Sequence, residues 1–367
     1  MPQTAAQDAA NLDLQLKEQR RTVDFDTSDI LTQQLLTMFQ KGDIRIAPAY
    51  QRQFRWKEKQ SSQFIESMLL GIPIPSLFMA TNADSTWDVV DGVQRLSTIV
   101  WFAGDDALRK KLHLNGPLIL TDLEKLTEFS NLRFDQLPDN IRRHFLSRSV
   151  KVVTLNDKSD NIVRYDLFER LNTGGIALTP QEIRNCIYSK PESSQFKEHL
   201  EKWAKEPNFR TAVRLTKQQQ MDATGEECVL RFFAYLHQYK SFEHSVTEFL
   251  NKYMQKASEE FDFRDGEAIF TKTFKELARV YPNGIRRQPG NQKTTPLNLF
   301  EGIAVGAALA LRQIDRLHTN GLNNWMKSPE LRRFTTGATN DRSAVKGRID
   351  FCRDRFLGRP YVPSAEE

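Results

Sequence analysis

The chain has 367 residues, 39% of them apolar and 27% charged, the balance of a globular protein with one large or two ordinary cores. Its 52 basic against 47 acidic residues leave +5, an excess that permits nucleic-acid contact without requiring it, because a mixed solvated surface gives the same count. Cys186, Cys228 and Cys352 are too few and too far apart for a zinc ribbon or a disulfide framework, which predicts a reducing, cytoplasmic setting.

Residues 1–21 lack a cationic start followed by an apolar run, so they are read as a flexible polar arm and not as a signal peptide. Asp26-Thr-Ser28 can cap a helix reaching about Gln40, with Ile30, Leu31, Leu35 and Met38 on one face and Gly42 as its stop. Ile44 and Ile46 predict a short strand. Pro48-Ala-Tyr-Gln-Arg-Gln-Phe-Arg-Trp56 alternates aromatic and cationic residues along an extended segment. Tyr50, Phe54 and Trp56 can anchor it while Gln51, Arg52 and Arg55 project from another face. Glu58 to Leu70 has helical spacing and Gly71 as its C-cap, and Pro73 and Pro75 prevent continuation. Leu77 to Ala80 and Trp87 to Val90 then pair as strands.

Asp91-Gly92 breaks the second strand, and Leu96, Ile99, Val100 and Phe102 recur at helical spacing, so a helix begins near Val93. Such a helix aims unpaired N–H groups at the end of the strand, where its dipole favours an anion. Arg95, in the first turn, can grip a phosphate through two parallel hydrogen bonds. The alternative is an ordinary tight turn with a solvated Arg95.

Residues 105–140 are polar and mixed, Val150 to Leu155 is β-branched enough for one more strand, and Asp160 to Leu171 is helical. Asn172-Thr-Gly-Gly175 ends that helix. Thr179-Pro-Gln-Glu182 starts the next with capping-box spacing and proline at its first position. The glycines let backbone approach a ligand beside Asn172, or simply form a C-cap at Gly174. Arg184 and Asn185 fall on the side of Gln181.

Beyond residue 190 the sequence predicts helices over 195–205, 222–239, 246–261, 266–281, 296–318 and 344–356. Leu297 to Leu311 is apolar but short and holds Glu301, so it is read as a buried helix whose small residues allow close packing, not as a membrane span. Gly284 to Lys293 is a basic loop, with Arg286, Arg287 and Lys293 as candidate DNA contacts. Arg332, Arg333, Arg342, Lys346 and Arg348 add positive charge further on. The histidines, His113, His144, His199, His237, His244 and His318, form no metal-nuclease cluster, and no Walker loop is present.

Four stretches carry a resemblance. Pro48…Tyr50-Gln-Arg…Trp56, Gly71-Ile-Pro-Ile-Pro75, Val90-Asp-Gly-Val-Gln-Arg-Leu96, and Phe168-Glu-Arg-Leu-Asn-Thr-Gly174 with Leu178…Glu182-Ile-Arg-Asn185 resemble, in order, the signature blocks of the N-terminal domain of GmrSD-type restriction enzymes. That family is similar in fold to the ParB/sulfiredoxin superfamily. The resemblance implies an α+β, ParB/sulfiredoxin-like domain with a small sheet over residues 22–190 and an all-α C-terminal domain over 191–367. It also implies a nucleotide-binding, NTP-hydrolysing module of a prokaryotic defence system, with Mg²⁺ as companion ion. Arg52 and Arg95 would clamp phosphates, Asp91 would orient a metal ion or water, and Gln94 would bond the nucleotide. Tyr50, Gln51, Gly92, Asn172, Thr173, Gly174, Arg184 and Asn185 would line the site. Val93 stands where the family's motif has glutamine, and the H-N-H nuclease motif of DNA-cutting relatives is lacking. A separate nuclease or effector subunit and DNA are the implied partners. Two alternatives stay open: a non-enzymatic DNA-binding protein using the basic helical half, and a ParB-like nuclease.

Overall fold

The computed structural model describes residues 12, 24–46, 56–82, 84–156, 161–171, 178–188, 194–287, 293–337 and 339–362. The chain divides into two compact units, Met1–Ala177 and Leu178–Glu367. This division and the boundary at residue 190 read from the sequence differ by one short helix, Pro180–Ile187, which falls in the second unit.

The first unit is α+β, as expected. Its strands are β1 (Phe25–Leu31), β2 (Ile44–Arg45), β3 (Leu77–Thr81), β4 (Trp87–Asp91) and β5 (Ser149–Leu155). They form one sheet in the order β1-β5-β3-β4-β2. The β1–β5 and β3–β4 pairs are antiparallel, and β3–β5 and β2–β4 are parallel. The helices are α1 (Thr32–Lys41), α2 (Glu58–Leu70), α3 (Val93–Ala103), α4 (Asp106–Lys111), α5 (Asp139–Leu146) and α6 (Asn161–Leu171). Leu35, Ile65, Leu77, Met79, Leu96 and Val152 are completely enclosed and form the heart of its core.

One expectation is overturned. Asp26-Thr-Ser28 does not cap a helix but lies in β1, an edge strand whose one buried residue is Ile30. An edge strand needs a backbone partner more than an apolar face, so its polar side chains conceal it. Helix α1 therefore starts later, without a side-chain cap from Leu31. The Thr32 amide and hydroxyl instead both donate to the Arg148 carbonyl, at 2.8 and 2.9 Å, joining the helix start to the approach to β5. The polar 105–140 region is held by another polar contact that spacing does not reveal. Glu66 of α2 accepts the backbone N–H groups of Lys125 and Leu126, each at 2.7 Å, and that of Glu124 at 3.2 Å. Burial alone would raise its pKa, but these donors outweigh it and hold the carboxyl low.

The second unit is helical throughout its described residues. It comprises α7 (Pro180–Ile187), α8 (Ser194–Ala204), α9 (Pro207–Ala212), α10 (Lys217–Met221), α11 (Thr224–Gln238), α12 (Val246–Glu260), α13 (Phe263–Val280), α14 (Leu297–Leu311), α15 (Leu322–Trp325), α16 (Pro329–Thr335) and α17 (Arg342–Phe356). Aromatic rings fill much of its core. Phe270 lies 4.4 Å from Phe274 and 5.5 Å from Trp203 between ring centroids, and Phe232 lies 5.0 Å from Phe233. Offset and edge contacts of this kind add to plain apolar burial.

Helix α14 runs through the interior, and its glycines set the distance to α17. A Cβ on Gly302 would come within 2.9 Å of the Arg348 carbonyl oxygen, and one on Gly306 within 2.7 Å of the Arg353 nitrogen. Two backbones are thus in contact, with no flexible side chain to yield. Gly306→Ala should cost about 1–3 kcal/mol by overpacking, seen as a lower denaturant midpoint. An unchanged midpoint would mean that the helices can separate freely. No described helix is long and apolar enough to cross a membrane.

Candidate functional site

The Asp91-Gly92 turn joins β4 to α3, and only glycine fits it. Gly92 has φ of +99°, and a Cβ there would lie 2.3 Å from Leu77 Cδ2. The turn presents the start of an eleven-residue helix immediately after the carboxylate that ends the strand. Val93 is only 6% exposed, so the residue that departs from the family motif is an apolar side chain in an apolar place.

Arg95 is turned inward. Its Nη1 donates to the carbonyl oxygens of Pro75 and Ser76, at 2.6 and 3.0 Å, and its Nη2 donates to Asp91 Oδ2 at 2.5 Å. Its side chain is 11% exposed, against 35% for Asp91. In this structure the guanidinium stitches the Gly71-to-Pro75 block to the helix start and fixes the orientation of Asp91. The i, i+4 spacing of Asp91 and Arg95 was the signal available in the sequence. Asp91, the more open partner, is the residue able to meet a ligand.

Gln94 is half-buried, and its Oε1 accepts the backbone N–H of Trp56 at 3.2 Å. Trp56 packs edge-on against Phe64 of α2, 5.6 Å between centroids, and Ser61 and Thr98 share a hydrogen bond of 3.3 Å between α2 and α3. These contacts place the end of the Pro48-to-Trp56 block beside the Asp-Gly turn. Tyr50, Gln51 and Arg52, and likewise Asn172, Thr173 and Gly174, lie outside the described residues.

Arg184 and Asn185 belong to α7, whose start has the expected Thr179–Glu182 capping box. Neither is presented as an open ligand contact. Arg184 is 1% exposed and donates to Asn251 Oδ1 at 2.7 Å, to Gln181 Oε1 at 3.1 Å and to Glu227 Oε2 at 3.4 Å. Asn185 accepts from Gln181 at 3.0 Å and donates to Glu226 Oε2 at 2.5 Å. Both brace α7 against neighbouring helices, as a buried polar group must when water is excluded.

Among the described residues no cation is bonded to Glu226, and burial raises its pKa against the Asn185 hydrogen bond. A carboxyl raised by folding contributes stability below its unfolded pKa and loses it as pH rises through the folded value. Glu226→Gln should therefore raise the melting temperature at pH 7–8 by a few degrees, about 2–4 °C per kcal/mol, with the gain shrinking toward pH 4. A gain that grew on acidification would contradict this.

The candidate DNA contacts separate. Lys293 is exposed and Arg286 is half-buried. Arg287 is tethered within the helical unit: its Nε donates to the Met326 carbonyl at 3.3 Å and its Nη2 to Thr335 Oγ1. Burial, followed by the nearby Arg332, lowers its pKa. Arg348 is likewise not surface charge but fully buried and paired with Glu301. Among the described residues no group of three or more His, Cys, Asp or Glu could hold a metal ion. Asp91 would have to act with the ligand's own oxygens, as Mg²⁺ beside phosphates permits. The cysteines are free and buried.

Residues 34–189 match the family described as GmrSD restriction endonuclease, N-terminal domain. No curated protein matches the chain. A solved structure of a Pnob8-like ParB-N domain aligns over 92% of this chain and 96% of its own, at 13% identity and a TM-score of 0.23, too loosely to bear on the fold. The matched span includes the Asp-Gly turn, Gln94, Arg95 and the 71–75 block. Over residues 34–189, therefore, this chain carries a domain of the GmrSD restriction endonuclease N-terminal family.

Proposed function

We propose that this chain is the nucleotide-responsive module of a restriction system and that its first unit binds and hydrolyses a nucleoside triphosphate with Mg²⁺ at the Asp91-Gly92 turn. The observation that carries this is the juxtaposition of an accessible carboxylate, pinned by a buried arginine, with the amide groups that open α3. Asp91 would take the metal ion or orient the attacking water, and the first-turn amides would receive phosphate oxygens. Arg95 acts through Asp91 as a positioning residue. Gln94 holds Trp56, the last residue of the Pro48-to-Trp56 block, by its backbone N–H, and Arg52 stays, from the family resemblance alone, the proposed phosphate-binding cation. A positioned carboxylate and preorganised donors are the main requirements, since phosphoryl transfer depends on placement and charge neutralisation more than on covalent catalysis.

The test is calorimetric titration of the whole chain with ATP, GTP, CTP and UTP, each with Mg²⁺. Saturable binding of at least one, lost when Asp91 becomes asparagine, is expected. Absence of binding by all of them would exclude this function. Cutting of DNA would then rest with a partner subunit.

A further inference from the structure

The start of α11 lines a cavity of about 280 Å³ in the helical unit. That is near the lower end of the range for small-ligand sites, about 300–1,000 Å³. Much of its wall is apolar: Ala204 of α8, Phe209 of α9, Val213 and Leu215. A Cβ on Gly225 would reach Ala204 Cβ and Leu215 Cδ1 at 3.4 and 3.5 Å, so the glycine leaves room that a side chain would take. Ala223, in the same wall, has φ of +60°, in the left-handed region that a residue with a Cβ avoids. The turn is held there from two sides. Thr179 Oγ1 donates to the Asp222 carbonyl at 2.8 Å, and Asp222 Oδ1 accepts the Thr224 N–H at 3.2 Å.

Glu226 is half-buried and, among the described residues, is the one acid in this wall. Its Oε2 accepts from Asn185 at 2.5 Å, Asn185 accepts from Gln181 at 3.0 Å, and Gln181 accepts from Arg184 at 3.1 Å. A chain of buried polar groups thus aims the carboxyl, and among the described residues nothing donates to its other oxygen. Burial raises its pKa and Glu201 adds to the rise, against the Asn185 bond and the fields of Lys197 and Lys205. A carboxylate taken out of water needs a cation or several donors. Lys197 is already paired with Glu201 at 3.0 Å. Lys205, Arg210 and Arg214 are exposed at the rim, where Arg214 Nη2 donates to the Pro282 carbonyl at 3.2 Å.

These charges select the kind of ligand. A simple amine would satisfy Glu226 but meet the rim cations, and a simple anion would satisfy the rim but be repelled by Glu226. A molecule with an ammonium at one end and an anion at the other satisfies both, and the wall accepts an apolar body. We propose that this cavity binds a free α-amino acid with an apolar side chain, its ammonium on Glu226, its carboxylate toward Lys205 and Arg210, and its side chain against Val213 and Leu215. The ammonium bond is charge-assisted and gives the carboxylate the cation that folding does not supply. The proposal makes no use of Asp91 and stands apart from the nucleotide site.

Calorimetric titration of the whole chain with leucine, methionine and phenylalanine at neutral pH tests it. Saturable binding of at least one is expected. The N-acetyl derivative of that amino acid, which lacks the ammonium, should bind about tenfold or more weakly, because it leaves the buried carboxylate unpaired. Its amide, which lacks the carboxylate, should lose about two- to fivefold, the worth of an exposed ion pair. Glu226→Gln keeps an acceptor for Asn185 and should fold, yet bind the amino acid about tenfold or more weakly. Lys205→Ala/Arg210→Ala, at exposed positions, should lose about two- to fivefold for the amino acid and nothing for the amide. Melting curves establish that both variants are folded. Binding of none of the three amino acids by the wild type would overturn the proposal, as would full affinity for either derivative or undiminished binding by either variant. Should Glu226→Gln fail to fold, the rim variant and the two derivatives decide the matter.

Discussion

Replacing Glu301 by glutamine is expected to destabilise the helical unit by about 3–5 kcal/mol, the usual cost of stranding a buried charge. Glu301 is fully buried in α14, where its two oxygens accept from Arg231 Nη1 at 2.5 Å and from Arg348 Nη2. Arg231 also holds Glu227 of its own helix, at 2.7 and 2.9 Å, and Glu227 in turn meets Arg184. Charges thus alternate in sign along a ladder through α7, α11, α14 and α17. Arginine cannot shed its proton, so losing the carboxylate leaves Arg231 and Arg348 with unbalanced charge in the interior. Thermal melts should show a fall of about 10 °C, given roughly 2–4 °C per kcal/mol. Glu259→Gln, at an exposed position, should melt within experimental error of wild type. If Glu301→Gln melted alongside it, the ladder would have no structural weight. The ladder also has an acid limit. Burial pushes the Glu227 carboxyl up, but Arg231 and then Arg184 outweigh it and hold its pKa below 4.5. Its contribution is therefore present above the unfolded value and is lost as pH falls through the lowered one.

Arg95→Ala is the second large effect, expected to cost the sheet unit about 2–4 kcal/mol. The substitution removes three hydrogen bonds at once and leaves the Pro75 and Ser76 carbonyls without their donor. Urea unfolding should move to a clearly lower midpoint, and nucleotide response should fall with it, because Asp91 loses the group that aims it. Arg95→Lys should recover part of the stability but not the forked geometry. A fully stable Arg95→Ala protein that had lost only nucleotide binding would restore the phosphate clamp and remove the positioning role.

How much could be read from the sequence depended on whether the signal was local. Helix α2 shows itself through its spacing and ends at Gly71, which has φ of +75° as its cap requires. The Thr179–Glu182 box and the start of α3 at Val93 are equally local and equally legible. Strand β1 escaped notice because only its backbone is needed at the sheet edge. The ion ladder escaped because its members are scattered over helices far apart in sequence. Glu301 was visible as a charge in an apolar run, which argued against a membrane span but not yet for a buried ion pair. Arg348 likewise counted as surface charge until α17 was placed against α14. At the site, the turn and its glycine were readable, whereas the direction of Arg95 depended on where the chain brought the Pro75 and Ser76 carbonyls.

The central claim is that Asp91, held by Arg95, is the working carboxylate of a nucleotide site. It is tested most directly by Mg²⁺-dependent phosphate release from the nucleotide that binds, measured for wild type and Asp91→Asn in parallel. Asparagine keeps an oxygen acceptor for Arg95, so the variant should stay folded. The account predicts turnover by the wild type and a loss of about a hundredfold or more in the variant, in keeping with removal of a group that positions or neutralises charge in the transition state. Undiminished phosphate release by a folded Asp91→Asn protein would contradict it.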